Sequence, residues 1–161
     1  MPPTLRTGIG YDSHRLVAGR PLILGGQRIP YEKGLAGHSD GDAVAHALTD
    51  AILGAAAAGD IGQLFPDDDP RWAGADSLLL LRQACELVRY RRFEPRQCDI
   101  TIIAERPRLG SYFPSMAAAL SDATGIPVGA IGLKAKSNEG MGFLGRGEGI
   151  AVLAVATLEV V

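Results

Sequence analysis

Between Asp42 and Ala58, the residues Asp42, His46, Thr49 and Asp50 recur at i, i+4, i+7 and i+8, the spacing that lines side chains along one face of a helix. Most other positions there are Ala, Val, Leu or Ile. A stripe meant only for water usually carries Lys, Glu, Arg or Gln, whereas Asp, His and Thr in an otherwise apolar helix call for a wet or metal-filled cavity. Upstream, Asp12 and His14 sit two apart at the end of an alternating segment, so strand geometry points both to one side. With His46 they offer two imidazoles and one carboxylate, a donor set that suits Zn²⁺ with an open fourth position, as in catalytic sites. Asp-x-His alone is a weak motif, more often a capped turn, and spacing leaves open whether the three converge.

Two further segments could handle anions. Gly37-His38-Ser39-Asp40-Gly41-Asp42 precedes the helix. Ser39 or Asp40 can cap it, Gly41 lets the backbone approach a ligand, and the free N–H groups at the helix start could receive a phosphate, although capping alone needs no ligand. Of the three histidines in the chain, His38 and His46 flank this segment. The other segment, Asn138 to Gly149, has five glycines among 12 residues and reads as a hairpin turn between two apolar strands. Its glycine density points to backbone held near a ligand. Lys134, Lys136 and Arg146 flank it with positive charge, and Glu139 could hold a second hard cation against phosphate oxygens. No GxxxxGK[ST] is present and no GxGxxG follows a strand and opens a helix, which excludes nucleotide triphosphatase and dinucleotide readings.

The elements that must position these groups follow from periodicity. Residues 6–12 alternate as a strand, and Leu22–Leu24 and Gln27–Pro30 flank Gly25-Gly26 as a hairpin. Helices are expected over Asp42–Ala58, over Asp76–Arg91, and from Ser111 or Tyr112 to Thr124, ending before Gly125. Strands are expected over Asp99–Ala104, Ile131–Ala135 and Ile150–Val160. The last is apolar nearly throughout, as a strand covered on both faces would be, and hints at a subunit interface. The pattern predicts an α+β fold, a mixed sheet with helices packed on one face. At 161 residues, 47% hydrophobic and 21% charged, the chain fits one domain over 1–161.

Charge is unevenly placed. Seven aspartates and no Lys or Arg lie between Gly34 and Pro70, so a chain of formal net charge −2 is basic elsewhere. Such a division is poor for a nucleic-acid groove and suits a site holding cations and phosphate oxygens together. Met1 to Gly8 lacks a basic and then apolar leader, and no stretch approaches the roughly 18 apolar residues of a membrane span. No membrane association and a cytoplasmic location are therefore expected. Cys85 and Cys98, 13 positions apart, match no metal or redox spacing and read as reduced core residues.

Five motifs in order carry a resemblance. Gly10-Tyr11-Asp12-Ser13-His14, Gly37-His38-Ser39-Asp40-Gly41-Asp42, Ala45-His46-Ala47-Leu48-Thr49-Asp50, Gly59-Asp60-Ile61-Gly62 leading to Phe65-Pro66-Asp67, and Gly145-Arg146-Gly147-Glu148-Gly149 resemble the successive signatures of the 2-C-methyl-D-erythritol 2,4-cyclodiphosphate synthase family. The resemblance spans nearly the whole chain, whose length is that of the stand-alone enzyme, with no room for the cytidylyltransferase domain fused to some relatives.

The resemblance implies a homotrimer with active sites between subunits, working in the non-mevalonate route to isoprenoid precursors. The substrate would be 4-diphosphocytidyl-2-C-methyl-D-erythritol 2-phosphate, whose 2-phosphate attacks the β-phosphorus, releasing CMP and closing the cyclic diphosphate. Asp12, His14 and His46 match the Zn²⁺ ligands, and Glu139 matches the residue that helps hold Mg²⁺ or Mn²⁺ between phosphates. The catalytic group would be His38, Ser39, Lys136 and Ser137. Asp60, Ile61, Gly62, Asp67, Ala104, Arg108, Leu109, Ala135, Phe143 and Arg146 would bind substrate, the segment Ala104–Leu109 with Ala135 and Ser137 around the cytidine and diphosphate. Arg146, with Tyr11 and Phe143, would face a central trimer cavity able to take an isoprenoid diphosphate. This chain departs from the common pattern at Lys136-Ser137, where many relatives have two threonines, at Arg108, where Lys is frequent, and at Tyr11, often Phe. A phosphohydrolase using water on the same metals and a module that binds without turnover are the rival classes.

Overall fold

The computed structural model describes residues 4–161; residues 1–3, the start of the N-terminal stretch read above as carrying no leader, lie outside it. In chain order the elements are β1 (Leu5–Ala18), β2 (Leu22–Leu24), β3 (Gln27–Ile29), β4 (Lys33–Leu35), α1 (Ala43–Ala55), α2 (Ile61–Leu64), α3 (Ser77–Tyr90), β5 (Phe93–Ile103), α4 (Phe113–Thr124), β6 (Ile131–Lys136), α5 (Gly142–Gly145) and β7 (Gly149–Val160). Five strands form a mixed sheet in the order β4-β1-β7-β5-β6, with β5 and β6 parallel and the other pairs antiparallel. β2 and β3 form a separate hairpin through Gly25-Gly26, both at positive φ as a two-residue hairpin turn requires.

Local chemistry sets the helix ends. Asp42 and Asp76 cap α1 and α3 by accepting hydrogen bonds from Ala45 N and Leu78 N, and Gly125 ends α4 at φ 77°. α3 buries Leu80, Leu81, Ala84, Cys85 and Val88 on one face. α1 is buried on nearly all sides, between the sheet and α3, which is why its composition is so apolar. It approaches the sheet closely: a Cβ on Gly8 would lie 2.0 Å from the Ala51 carbonyl oxygen, and one on Gly10 1.9 Å from that of Ala47. Cys85 and Cys98 are free and buried, and burial pushes both thiols up to about 12, so they stay inert core residues.

Three sequence expectations change. β7 is buried on both faces only from Gly149 to Val152; beyond that Ala154, Ala156 and Leu158 are buried, while Leu153 and Val155 are exposed and pair across the strands with Tyr11 and Ile9, the latter 70% exposed. From Leu153 on, the apolar composition of β7 therefore reflects one packed face and one open apolar face rather than a strand enclosed within its own chain. The glycine-rich segment is not a hairpin turn, because β6 and β7 are not neighbours; it crosses past β5 and contains α5. Part of its glycine content serves the loop itself, since a Cβ on Gly145 would lie 2.1 Å from the Gly140 carbonyl carbon. Lastly, the polar stripe on α1 does not face one cavity as a unit. Asp42 is fully buried and also accepts from Gly25 N and Gly26 N at 2.9 and 2.8 Å, fastening the hairpin to the helix start. Burial pushes its carboxyl up to about 6 against the pull of those N–H groups. Thr49 donates its hydroxyl proton to the Ala45 carbonyl inside the core.

Candidate metal centre and active site

The seam between β1 and α1 builds the centre. Gly8, Gly10, Asp12 and His14 share one side of β1 by strand alternation, the side on which the two glycines let α1 come close. His46 stands in the first turn of α1 and meets Asp12 and His14 there, so the three converge. His14 Nε2 lies 2.7 Å from Asp12 Oδ2 and 3.2 Å from His46 Nδ1, and His46 Nδ1 lies 3.2 Å from Asp12 Oδ2. A tetrahedral centre with bonds of 2.0–2.1 Å has edges of about 3.3 Å, so this triangle fits one face of a Zn²⁺ coordination shell with a fourth position open.

Hydrogen bonds behind the triangle aim its lone pairs inward. His14 Nδ1–H donates to the Ala36 carbonyl at 2.5 Å, so in the neutral ring it is Nε2 that turns its lone pair toward the centre. The buried Ser77 hydroxyl donates to Asp40, so it accepts from His46 Nε2–H at 2.7 Å, and His46 presents its Nδ1 lone pair. Ser39 Oγ lies 3.0 Å from the same His46 Nε2. Neither Ser39 nor Asp40 caps α1, as the sequence allowed; Asp42 does, and Asp40 instead accepts from Ser77 N, tying the 37–42 segment to α3. The start of α1 is therefore closed to a phosphate, and Gly41 is needed because a Cβ there would lie 2.5 Å from the Leu35 carbonyl oxygen rather than near a ligand.

Electrostatics favour a cation here. Burial works against the charge on Asp12, but hydrogen bonds and charge from His14 and His46 outweigh it and hold the carboxyl below its ordinary 3.8. Burial likewise disfavours imidazolium at His14, yet Asp12 outweighs it and raises His14 above its ordinary 6.5. In metal-free protein the His14 contribution to stability is complete below about 6.5 and is lost as pH rises through the raised folded value. The Asp12 contribution is present above its ordinary value and lost as pH falls through the lowered one. A metal must displace the His14 proton, so the rise in Tm on adding Zn²⁺ is expected to be small below about pH 6.5 and to grow at higher pH. Thermal melts of stripped and reloaded protein across that range check this; an increment independent of pH would contradict it.

A cleft of about 230 Å³ opens on the triangle. Of the residues singled out from sequence, Asp12, His14, His38, Ser39, His46, Ile61, Gly62 and Asp67 line it. Asp60 stands just behind as the cap of α2, accepting from Gln63 N, and Asp50 accepts from Ile61 N at 2.7 Å, linking α1 to this wall. Phe65, from the Phe65-Pro66-Asp67 motif, forms an apolar wall with Trp72 and Leu80, which the motifs did not reveal. Ser77 was also missed as a partner of His46, because beside Asp76 it reads as an ordinary helix start.

The second group lies elsewhere in the chain. Ala104, Arg108, Leu109, Ala135, Lys136, Ser137 and Glu139 belong to β5, β6 and the segments that follow them. In register, Ser13 of β1 pairs with Ala151, Ala151 with Ile103, and Ile103 with Lys136. Lys136 is thus three strand spacings from β1, about 14 Å. One chain does not bring the two groups together. Ala104 and Leu109 are buried, so they can offer a ligand only backbone, whereas Arg108, Lys136, Ser137 and Glu139 are exposed. Phe143 and Arg146 line a recess of about 460 Å³ with Arg15 and Lys33, and Arg146 Nε donates to Glu148 at 2.6 Å within its own chain.

The model of the YgbB family matches residues 5–159. The chain belongs to the YgbB family. As a YgbB-family member it is 54% identical over 151 residues to a protein of Symbiobacterium thermophilum named 2-C-methyl-D-erythritol 2,4-cyclodiphosphate synthase, covering 94% of this chain and 96% of the relative. A 2C-methyl-D-erythritol-2,4-cyclodiphosphate synthase solved in a CDP-bound form superposes with a TM-score of 0.87 at 44% identity, covering 95% of this chain and 99% of the other. The bifunctional IspDF of Campylobacter jejuni superposes with a TM-score of 0.95 at 42% identity over 99% of this chain, which spans 43% of that longer protein. Among the described residues no helix is long and apolar enough to cross a membrane.

Proposed function

We infer that this YgbB-family chain converts 4-diphosphocytidyl-2-C-methyl-D-erythritol 2-phosphate to 2-C-methyl-D-erythritol 2,4-cyclodiphosphate and CMP, as a divalent-metal-dependent phosphorus–oxygen lyase of isoprenoid precursor synthesis. The observation that carries it is the convergence of Asp12, His14 and His46, with lone pairs aimed inward, on a cleft of the family whose relatives bear that name. The residues 1–161 serve this as one domain.

When bound, Zn²⁺ at Asp12, His14 and His46 and Mg²⁺ or Mn²⁺ at Glu139 supply Lewis acidity and positive charge against phosphate oxygens. The remaining work is positioning by the chain. A phosphate monoester is largely dianionic near neutral pH, its second pKa being about 6, so no strong general base is needed. An oxygen of the 2-phosphate forms a bond to the β-phosphorus while the bond from that phosphorus to the α-phosphate oxygen breaks, and CMP leaves with the electron pair. His38 and Ser39 bind and orient the attacking phosphate at the mouth of the metal centre. The Phe65, Trp72 and Leu80 wall suits the carbon skeleton of methylerythritol, while Ile61, Gly62 and Asp67 in the cleft, with Asp60 at the start of α2 beside it, offer polar partners to its hydroxyls. Across the sheet, Ala104 to Leu109 and Ala135 take the cytidine, Arg108 and Lys136 add positive charge, and Ser137 gives a hydroxyl to the diphosphate.

Two observations support a homotrimer with sites between subunits. The two groups stand about 14 Å apart in one chain, and Ile9, Tyr11, Leu153 and Val155 form an open apolar face on β1 and β7 that a second copy would cover. The terminal nitrogens of Arg146 remain free of Glu148 among the described residues, and with Phe143 and Tyr11 they suit an isoprenoid diphosphate in a central cavity.

Phosphorus NMR of the reaction tests the reading. Metal-dependent appearance of CMP and a cyclic diphosphate is expected; CMP with a linear phosphate would instead make the protein a hydrolase, and unchanged substrate from folded, metal-loaded protein would make it a binding module.

A further inference from the structure

Glu139 is one of three described non-glycine residues with positive φ, at 54°. That left-handed conformation is unfavourable for a residue with a Cβ and persists only where its surroundings hold it. Packing does not do so, because Ser137, Glu139, Gly140 and Met141 are all exposed. The hold is shared: Met141 N donates to the Asn138 carbonyl at 2.9 Å, closing a turn across Glu139 and Gly140, and from another segment Glu105 Oε1 accepts from Asn138 N at 3.1 Å and from Gly140 N at 2.9 Å, the amides on either side of Glu139. The Glu139 amide between them donates to Ser137 Oγ at 3.2 Å. Two of three successive N–H groups thus point at one carboxylate that the chain itself provides, as in a backbone nest, and the middle one at a hydroxyl. Glu105 follows Ala104, whose N–H donates to the Lys136 carbonyl at 2.9 Å, so the 104–109 segment and the 136–140 segment are tied at two points.

We propose that Glu105 is a positioning residue for the second cation: its carboxylate fixes the backbone on both sides of Glu139 and so couples the cytidine-binding segment to the residue that holds the divalent metal. The proposal rests on the function inferred above. Glu105 acts as an acceptor and not as a ligand, because Oε1 is spent on two amides. A glutamine keeps an uncharged Oε1 able to accept both bonds, whereas alanine removes them.

The test is Mn²⁺ binding in the presence of CDP, followed by electron paramagnetic resonance on zinc-loaded wild type, Glu139→Gln, Glu105→Ala and Glu105→Gln. Glu105→Ala is expected to weaken Mn²⁺ binding about 10–100-fold, the size of effects from partners behind a metal ligand. Its Zn²⁺ content and Tm should stay at wild-type levels, and hydrogen exchange should quicken at Asn138 and Gly140. Glu105→Gln is expected to bind Mn²⁺ within about threefold of wild type. Wild-type affinity in Glu105→Ala would overturn the proposal, and so would equal losses in alanine and glutamine, which would make the charge itself the active feature. If Glu139→Gln binds Mn²⁺ as wild type does, the assignment of Glu139 fails and the proposal with it; a loss in Glu139→Gln without one in Glu105→Ala sinks the proposal alone.

Discussion

Replacing His46 with alanine is expected to remove tight Zn²⁺ binding and to lower turnover on the order of a thousandfold or more, since a metal acting on phosphate oxygens lowers the barrier by several kcal/mol. His46 is the ligand that α1 contributes, and without it only Asp12 and His14 remain on β1. The loss should be graded by distance from the metal. Ser77→Ala removes the nearer of the two hydroxyls at His46 Nε2–H, the other being Ser39, and is expected to cost about 10-fold in metal affinity while leaving all three ligands in place. Chelator competition measures both variants, with circular dichroism as the check on folding. A His46→Ala protein that keeps stoichiometric zinc and wild-type turnover would remove the metal centre from the account.

Gly10→Ala should give a large loss of stability. The new methyl would stand 1.9 Å from the Ala47 carbonyl oxygen and 2.9 Å from Ala51 N, both backbone atoms of a helix that cannot rotate out of the way. α1 must lift from the sheet, at a cost of about 3 kcal/mol or more, or on the order of 10 °C in Tm for a chain of this size. Because Asp12 and His14 lie along the same β1 face and His46 on that helix, lifting α1 also spreads the metal triangle, so zinc affinity should fall together with Tm. A Tm within about 1 °C of wild type would show that the seam is looser than the contacts indicate.

Where a residue's local chemistry settled its conformation, sequence and structure agree. α1, α3 and α4 follow from apolar periodicity and the β2-β3 hairpin from Gly25-Gly26, with Asp76 and Gly125 at the expected ends of α3 and α4, whereas α1 is capped by Asp42 in place of Ser39 or Asp40 and stops at Ala55 in place of Ala58. Strand ends were less legible. β1 continues to Ala18 and β5 begins at Phe93 because neighbouring strands pair with them, although Arg15, Glu94, Arg96 and Gln97 break the apolar pattern. β4 is three residues long and exists by pairing with the end of β1, beyond the reach of periodicity.

The site shows the same division. Asp12, His14 and His46 were readable as a donor set, but their convergence depends on Gly8 and Gly10 admitting α1, a contact between segments far apart in sequence. Asp42 and Thr49 carry the same residue types as a ligand stripe, yet their partners are backbone N–H and C=O groups of the core. Composition cannot separate a carboxylate that binds a metal from one that binds a hairpin. Ser77 was overlooked, and Glu105 passed over within the Ala104–Leu109 segment, for the converse reason: each looks ordinary in its own segment and stands out only through a partner more than 30 residues away.

The proposed division of the site between β1 and β6 is tested most directly in mixed assemblies. His46→Ala, which breaks the metal half, and Ser137→Ala combined with Lys136→Ala, which breaks the diphosphate half, are unfolded, mixed in equal amounts and refolded together. If each site takes one half from each of two subunits, random assembly restores about a quarter of the sites and a corresponding share of wild-type CMP release. Activity in the mixture no greater than that of the two variants alone would place both halves in one chain and contradict the account.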